Sequence, residues 1–219
     1  MLLSEEQVRQ KSARVVDFPV RIPASNFKAF LGELEHVAGS YLRPVPSEPY
    51  SASRRGNLFH AWVERSNSPI GLVDNDEELP ELEDEEDFYE VEELQNNFKN
   101  SRFSKLQPVA LEQEVQLTIG GNTFICKMDA VYQDGDGIEI VDWKTNTPPV
   151  PGSEDEAKRA LQLSLYRFAY SEYTGIPLEK IKATFYFVGA DQELSPTKLA
   201  NREEILAKWQ EVLGRVAKN

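Results

Sequence analysis

The spacing of apolar positions changes period along the chain, and each change marks an element. After Pro23, Phe27, Phe30, Leu31 and Leu34 recur at helical spacing, with Ser25 placed as an N-cap. Residues 42–49 carry prolines at 44, 46 and 49 and must be extended or turning. A second helix is predicted over 53–65, presenting Leu58, Phe59, Trp62 and Val63 to a core. A third is predicted over 85–101, where Phe88, Val91, Leu94, Gln95 and Phe98 share a face. From Val109 the period falls to two. VALEQEVQLTI, TFICKMDAVYQ and IEIVDWKT are separated by Gly120-Gly121-Asn122 and by DGDG at 134–137. Tight Gly-containing turns between strand-like runs predict an antiparallel three-strand meander. Prolines 148, 149 and 151 end the third strand. A long helix follows over 154–173, with Ala157, Leu161, Leu165, Phe168 and Ala169 inward and a stop near Gly175 and Pro177. A fourth strand spans 182–188. The last helix opens on a capping box of Asn201 and Glu204 and turns Ile205, Leu206, Trp209, Val212 and Leu213 inward. The order predicts one mixed α/β domain over 1–219, a small sheet flanked by helices.

Composition narrows the functional classes. The net charge of −13 argues at first against an anionic partner, yet residues 74–93 hold thirteen acidic residues and no basic one. Outside them, 24 acidic residues balance 24 basic ones. The acidic run is expected to form a solvated loop at 74–93, possessing a helical second half; a sharper role would be to screen a DNA groove or dock on a basic partner. One cysteine, Cys126, and two histidines leave no disulfide framework and no Cys/His zinc site, which fits a reducing, cytoplasmic setting. Neither a signal-like apolar run nor eighteen consecutive apolar residues occurs, so no membrane partner is expected. Dinucleotide-binding and phosphate-loop glycine motifs and the Ser-hydrolase elbow are also missing.

The most informative residues lie on the meander. Asp142 and Lys144, two apart on a strand, share a face, and the hairpin brings Asp129 near them. Two carboxylates and a lysine among Val131, Ile138, Ile140 and Val141 need pairing or a metal if buried, and hard oxygen ligands suit Mg²⁺ or Mn²⁺. A surface ion pair on a half-exposed strand fits the same spacing. DGDGIEIVD lacks the later ligands of a calcium loop and reads as a hairpin turn. His36 reads as a packing or surface residue, and His60, between Phe59 and Trp62, as either a core histidine or a ligand.

RRGNLFHAWVE with His60 four residues after Gly56, MDAVYQDGDGIEIVDWKT, and QLSLYRFAY occur in an order that resembles the RecB-family nuclease domain of the PD-(D/E)XK superfamily. Together with the lead-in LRPVPSEPYSAS, they are most similar to the C-terminal nuclease module of actinobacterial UvrD-like helicase-nucleases of the AdnAB kind. The resemblance implies a restriction-endonuclease-like core and a Mg²⁺- or Mn²⁺-dependent deoxyribonuclease of exonuclease type. It implies His60, Asp129, Asp142 and the Trp143 carbonyl as metal ligands and Lys144 as the catalytic lysine. Gln162 and Tyr166, four apart on one helix, would orient the phosphate or the lysine. Glu114 falls where the family has a strand glutamate, though Glu112 lies on the same face and the register could slip. Met128 replaces the proline of the superfamily's name, and Cys126-Lys127 stand where related modules often have Gly-Arg. One cysteine cannot hold the iron–sulfur cluster of some relatives. Implied partners are DNA, a helicase motor fused in the same chain and a second helicase-nuclease subunit, in double-strand-break repair or recombination. A non-catalytic DNA-binding or docking domain and a stand-alone exonuclease are the alternatives.

Overall fold

The computed structural model describes residues 20–32, 51–67 and 85–216. Strand β1 (Arg21–Pro23) leads through a 3₁₀ turn (Ala24–Asn26) into α1 (Phe27–Gly32), so Ser25 sits inside that turn rather than capping a helix. Helices α2 (Ser51–Asn67) and α3 (Glu85–Asn100) follow. The meander is β2 (Pro108–Ile119), β3 (Asn122–Asp134) and β4 (Gly137–Lys144). Then come α4 (Glu154–Thr174), β5 (Ile181–Phe187), β6 (Gln192–Leu194) and α5 (Arg202–Val216).

Local chemistry explains the boundaries. Gly120 and Gly121 both take positive φ, 58° and 85°, as a two-residue hairpin turn requires. Ser153 caps α4 by accepting the Glu156 N–H at 3.2 Å, and Gly175 ends it at φ 77°. The capping box of α5 forms as predicted: Asn201 Oδ1 accepts the Glu204 N–H at 2.8 Å, and Glu204 Oε2 accepts the Asn201 N–H at 2.9 Å.

The six strands form one mixed sheet. Strand β3 pairs antiparallel with β2 along its length. Its other edge is shared: β1 runs parallel beside Thr123–Ile125, and β4 runs antiparallel beside Ala130–Asp134. Strand β5 lies parallel to β4, joined by α4, and β6 closes the far edge. One face packs Phe27, Phe124, Met128, Ile140, Leu165, Phe185 and Trp209 with α1, α4 and α5. The other packs Phe59, Leu94, Phe98, Tyr132, Val141, Trp143 and Tyr186 with α2 and α3. Helices therefore cover both faces, the mixed α/β architecture expected of a restriction-endonuclease-like core.

Strands β1 and β6 leave no signal in the sequence, because three residues are too few to show a period of two. The acidic run is not one loop over 74–93: residues 85–93 belong to α3, whose Val91 and Leu94 are buried. Residues 74–84, His36, Leu34 and the proline-rich 42–49 lie outside the described residues. No helix among the described residues is long and apolar enough to cross a membrane.

Candidate metal and phosphodiester site

The site grows out of a defect in the meander. In β2, Ala110 and Val115 face the α4 side while Leu111 faces the α2 side; in β3, Met128 and Val131 face α4 while Ala130 and Tyr132 face α2. Strict alternation forbids both sets, so each strand shifts face by one residue. Pairing is kept: Leu111 stands opposite Ala130 and Gln113 opposite Met128. The residues at the shift are Glu112, with φ 49°, and Asp129. Just there β4 leaves β3, the last cross-strand pair being Ala130 with Val141, while β4 continues along β5 through Lys144. In place of the lost ladder bond, the Trp143 N–H donates to Asp129 Oδ2 at 2.7 Å.

Side chains from both helical layers meet at this split. From α2, His60 directs Nδ1 at Asp129 Oδ1, 3.4 Å away, and at Glu112 Oε1, 3.6 Å away. Its ring is held against Trp143, centroids 5.7 Å apart, and Trp143 packs in turn on Phe59 and Phe98. Gly56, one turn earlier, lies against the residue that follows β4: a Cβ there would meet Thr145 Oγ1 at 3.4 Å. From α4, Gln162 Nε2 donates to Asp142 Oδ1 at 3.0 Å and to the Tyr166 hydroxyl at 2.7 Å. Asp142 Oδ2 contacts the Lys144 ammonium. The whole opens into a cleft of about 870 Å³.

The cleft is built for positive charge. His60 is pushed up to about 10: burial opposes its protonation, but Asp129 and Glu112 outweigh that cost. Burial raises Asp142 to about 6 against the opposing pull of Lys144. Lys144 keeps its proton more firmly than a free lysine, because Asp142 and Asp129 overcome the desolvation that would lower it. Glu112 is lowered, first by His60 and, against burial, also by Lys127. Buried Glu112 Oε1 has no hydrogen bond, and the only partner of buried Asp142 Oδ2 among the described residues is the Lys144 ammonium. Carboxylate oxygens converging with an imidazole are a donor set for a divalent cation, and the ligand atoms of His60, Glu112 and Asp129 lie within 4.8 Å of one another.

The structure brings together most of the residues singled out from the sequence. His60, Asp129, Asp142, Trp143, Lys144, Gln162 and Tyr166 all line the cleft. Glu114 does not: it is exposed and pairs across the ladder with Lys127, and Glu112 stands in the cluster instead. The two have the same strand parity, so only the positive φ at Glu112 separates them. Lys127, assigned no role from sequence, lines the cleft and forms an ion pair with Glu112. Arg55 lines it too, and its only sequence signal is its place beside Gly56 in SRRGNLFH.

No curated protein matches the chain. Among solved structures, a presumed exonuclease of Eubacterium rectale superposes with a TM-score of 0.58 at 16% identity, covering 96% of this chain and 82% of that one. The protein SSO0001 superposes with a TM-score of 0.45 at 13% identity, covering 98% and 84%. The family model of the PD-(D/E)XK nuclease superfamily matches residues 24–219. This chain, with its carboxylates at a split in a mixed sheet, belongs to the PD-(D/E)XK nuclease superfamily.

Proposed function

We propose that this chain hydrolyses DNA phosphodiester bonds as a Mg²⁺- or Mn²⁺-dependent exonuclease. The observation that carries the proposal is the convergence of His60, Glu112, Asp129 and the Asp142–Lys144 pair where β4 leaves β3, with buried Glu112 Oε1 lacking a hydrogen bond. His60, Glu112, Asp129 and Asp142, with the Trp143 carbonyl, are the candidate ligands. A bound divalent ion would lower the pKa of water and polarise a phosphoryl oxygen.

The protein's own groups do the rest. Asp129 fixes the Trp143 peptide through its N–H and so holds the start of the DWK turn beside the cluster. Asp142, ionised above about pH 6, holds the Lys144 ammonium in the cleft, where it offsets charge gathering on the phosphate or orients the attacking water. Gln162 fixes the Asp142 rotamer by donating to Oδ1, and Tyr166 fixes Gln162 by accepting its second N–H. His60 is braced by Trp143 against rotation.

We further propose that the domain serves as the nuclease module of a helicase-nuclease in break repair or recombination, with a motor in the same chain and a second subunit. Its charge supports delivery by a motor: outside 74–93 the acids and bases balance, so long-range attraction to DNA is weak. The test is cleavage of linear single- and double-stranded DNA with Mg²⁺, Mn²⁺ or EDTA, comparing the chain with Asp142→Ala. Metal-dependent cleavage lost in the variant is expected. Cleavage that survives EDTA or the substitution overturns the assignment.

A further inference from the structure

Among the described residues, one arginine and two lysines line the cleft, and each faces a carboxylate. Lys144 contacts Asp142, Lys127 contacts Glu112, and Arg55 contacts Glu90. The first two carboxylates belong to the catalytic cluster. Glu90 does not: it comes from α3, none of whose described side chains lines the cleft, and it lies in the acidic run. Arg55 sits on α2 little more than one turn before His60. Its side chain is 23% exposed and that of Glu90 43%, so the pair stands at the mouth, within reach of solvent and of a polyanion.

A guanidinium offers a planar fork that suits two phosphate oxygens as well as a carboxylate. We infer that Arg55 is a phosphate-binding residue of the substrate groove and that Glu90 holds it as an internal substitute for the phosphate. DNA entering the cleft must displace Glu90 from Arg55, so the acidic segment sets the affinity through one local exchange of anions. This rests on the nuclease reading and adds to it a residue that grips the substrate and one that competes for it. The exchange weakens the grip without touching the metal cluster, which suits a module whose DNA is fed to it.

The test is fluorescence anisotropy with a labelled single-stranded oligonucleotide, using Ca²⁺ in place of Mg²⁺, for the wild type, Glu90→Gln, Arg55→Gln and the double variant. Glu93→Gln, on the same helix and exposed, controls for net charge alone. Glu90→Gln is expected to tighten binding about three- to tenfold near 50 mM salt and to steepen the log–log salt slope by about 0.7, the value of one added phosphate contact. Arg55→Gln is expected to weaken binding by a similar factor. In that background Glu90→Gln is expected to change the Kd less than twofold. Equal tightening by Glu93→Gln, or tightening by Glu90→Gln that persists without Arg55, overturns the inference while leaving metal-dependent cleavage by the wild type as support for the nuclease reading. No DNA binding by any of the proteins, together with no cleavage, overturns both.

Discussion

Substituting Glu112 and Glu114 separately by Gln asks the structure to choose between two glutamates that the sequence leaves equivalent. Glu112 Oε1 lies 3.6 Å from the His60 Nδ1 position and has no hydrogen bond, whereas Glu114 is exposed on the ladder opposite Lys127. Unit charges near that separation interact by about 1 kcal/mol in water and about 4 kcal/mol at an effective dielectric of 20. The half-buried cluster falls between these limits, so removing the Glu112 charge costs a cation there about 2 kcal/mol, or roughly thirty-fold in affinity. A divalent ion feels more than a single charge does, which makes thirty-fold a lower bound. The assay is calorimetric titration of metal-free protein with Mn²⁺, each variant's fold being verified by circular dichroism. Glu112→Gln is expected to weaken Mn²⁺ binding by about thirty-fold or more, and Glu114→Gln by less than twofold. The reasoning is refuted if Glu114→Gln carries the loss, or if Glu112→Gln binds Mn²⁺ as tightly as the wild type.

Three further expectations concern stability and reactivity. Arg102 forks onto buried Glu139 with two 2.8 Å bonds, and Thr184 donates to the same carboxylate at 2.7 Å. Arg102→Ala should therefore cost about 2 to 3 kcal/mol in urea unfolding, part of which Glu139→Gln in the same chain restores; no restoration would locate the loss elsewhere. A Cβ on Gly137 would fall 2.3 Å from the Lys180 carbonyl oxygen, so Gly137→Ala should lower stability by about 2 kcal/mol or more as the start of β4 is forced from β5, and an unchanged melting temperature would contradict that packing. Burial pushes the Cys126 thiol up to about 12 from 9.0. Because its folded value is raised, Cys126 contributes stability fully present below pH 9 and lost as pH rises through about 12. Near pH 8 its alkylation by iodoacetamide should be about a thousandfold slower in the folded protein than in urea, and comparable rates would show the thiol to be accessible.

Much of the fold was legible because long elements carry their own period. Helix α3, predicted over 85–101, spans Glu85–Asn100, and α4, predicted over 154–173, spans Glu154–Thr174. Two glycine turns announced the meander. The three-residue strands β1 and β6 gain their definition from the neighbours they pair with, which no local window contains. The site was legible where one element fixes the geometry: Asp142 and Lys144 on β4, Gln162 and Tyr166 on α4. It was illegible where two strands shift face together: Glu114 came from the family resemblance, Glu112 shares its strand parity, and only the positive φ at Glu112 sets the two apart. Arg55 and Lys127 were hidden for another reason. Their meaning depends on Glu90 and Glu112, partners brought close only by folding.

The central claim, that this cleft cuts DNA with a metal and Lys144, is tested most directly by single-turnover cleavage of end-labelled linear DNA with enzyme in excess and Mn²⁺ saturating. Asp142→Asn and Lys144→Ala are expected to lower the rate constant by about a hundredfold or more, a loss of roughly 3 kcal/mol of transition-state stabilisation, and EDTA to abolish cleavage by the wild type. A rate constant within a few-fold of wild type in either variant would contradict the account.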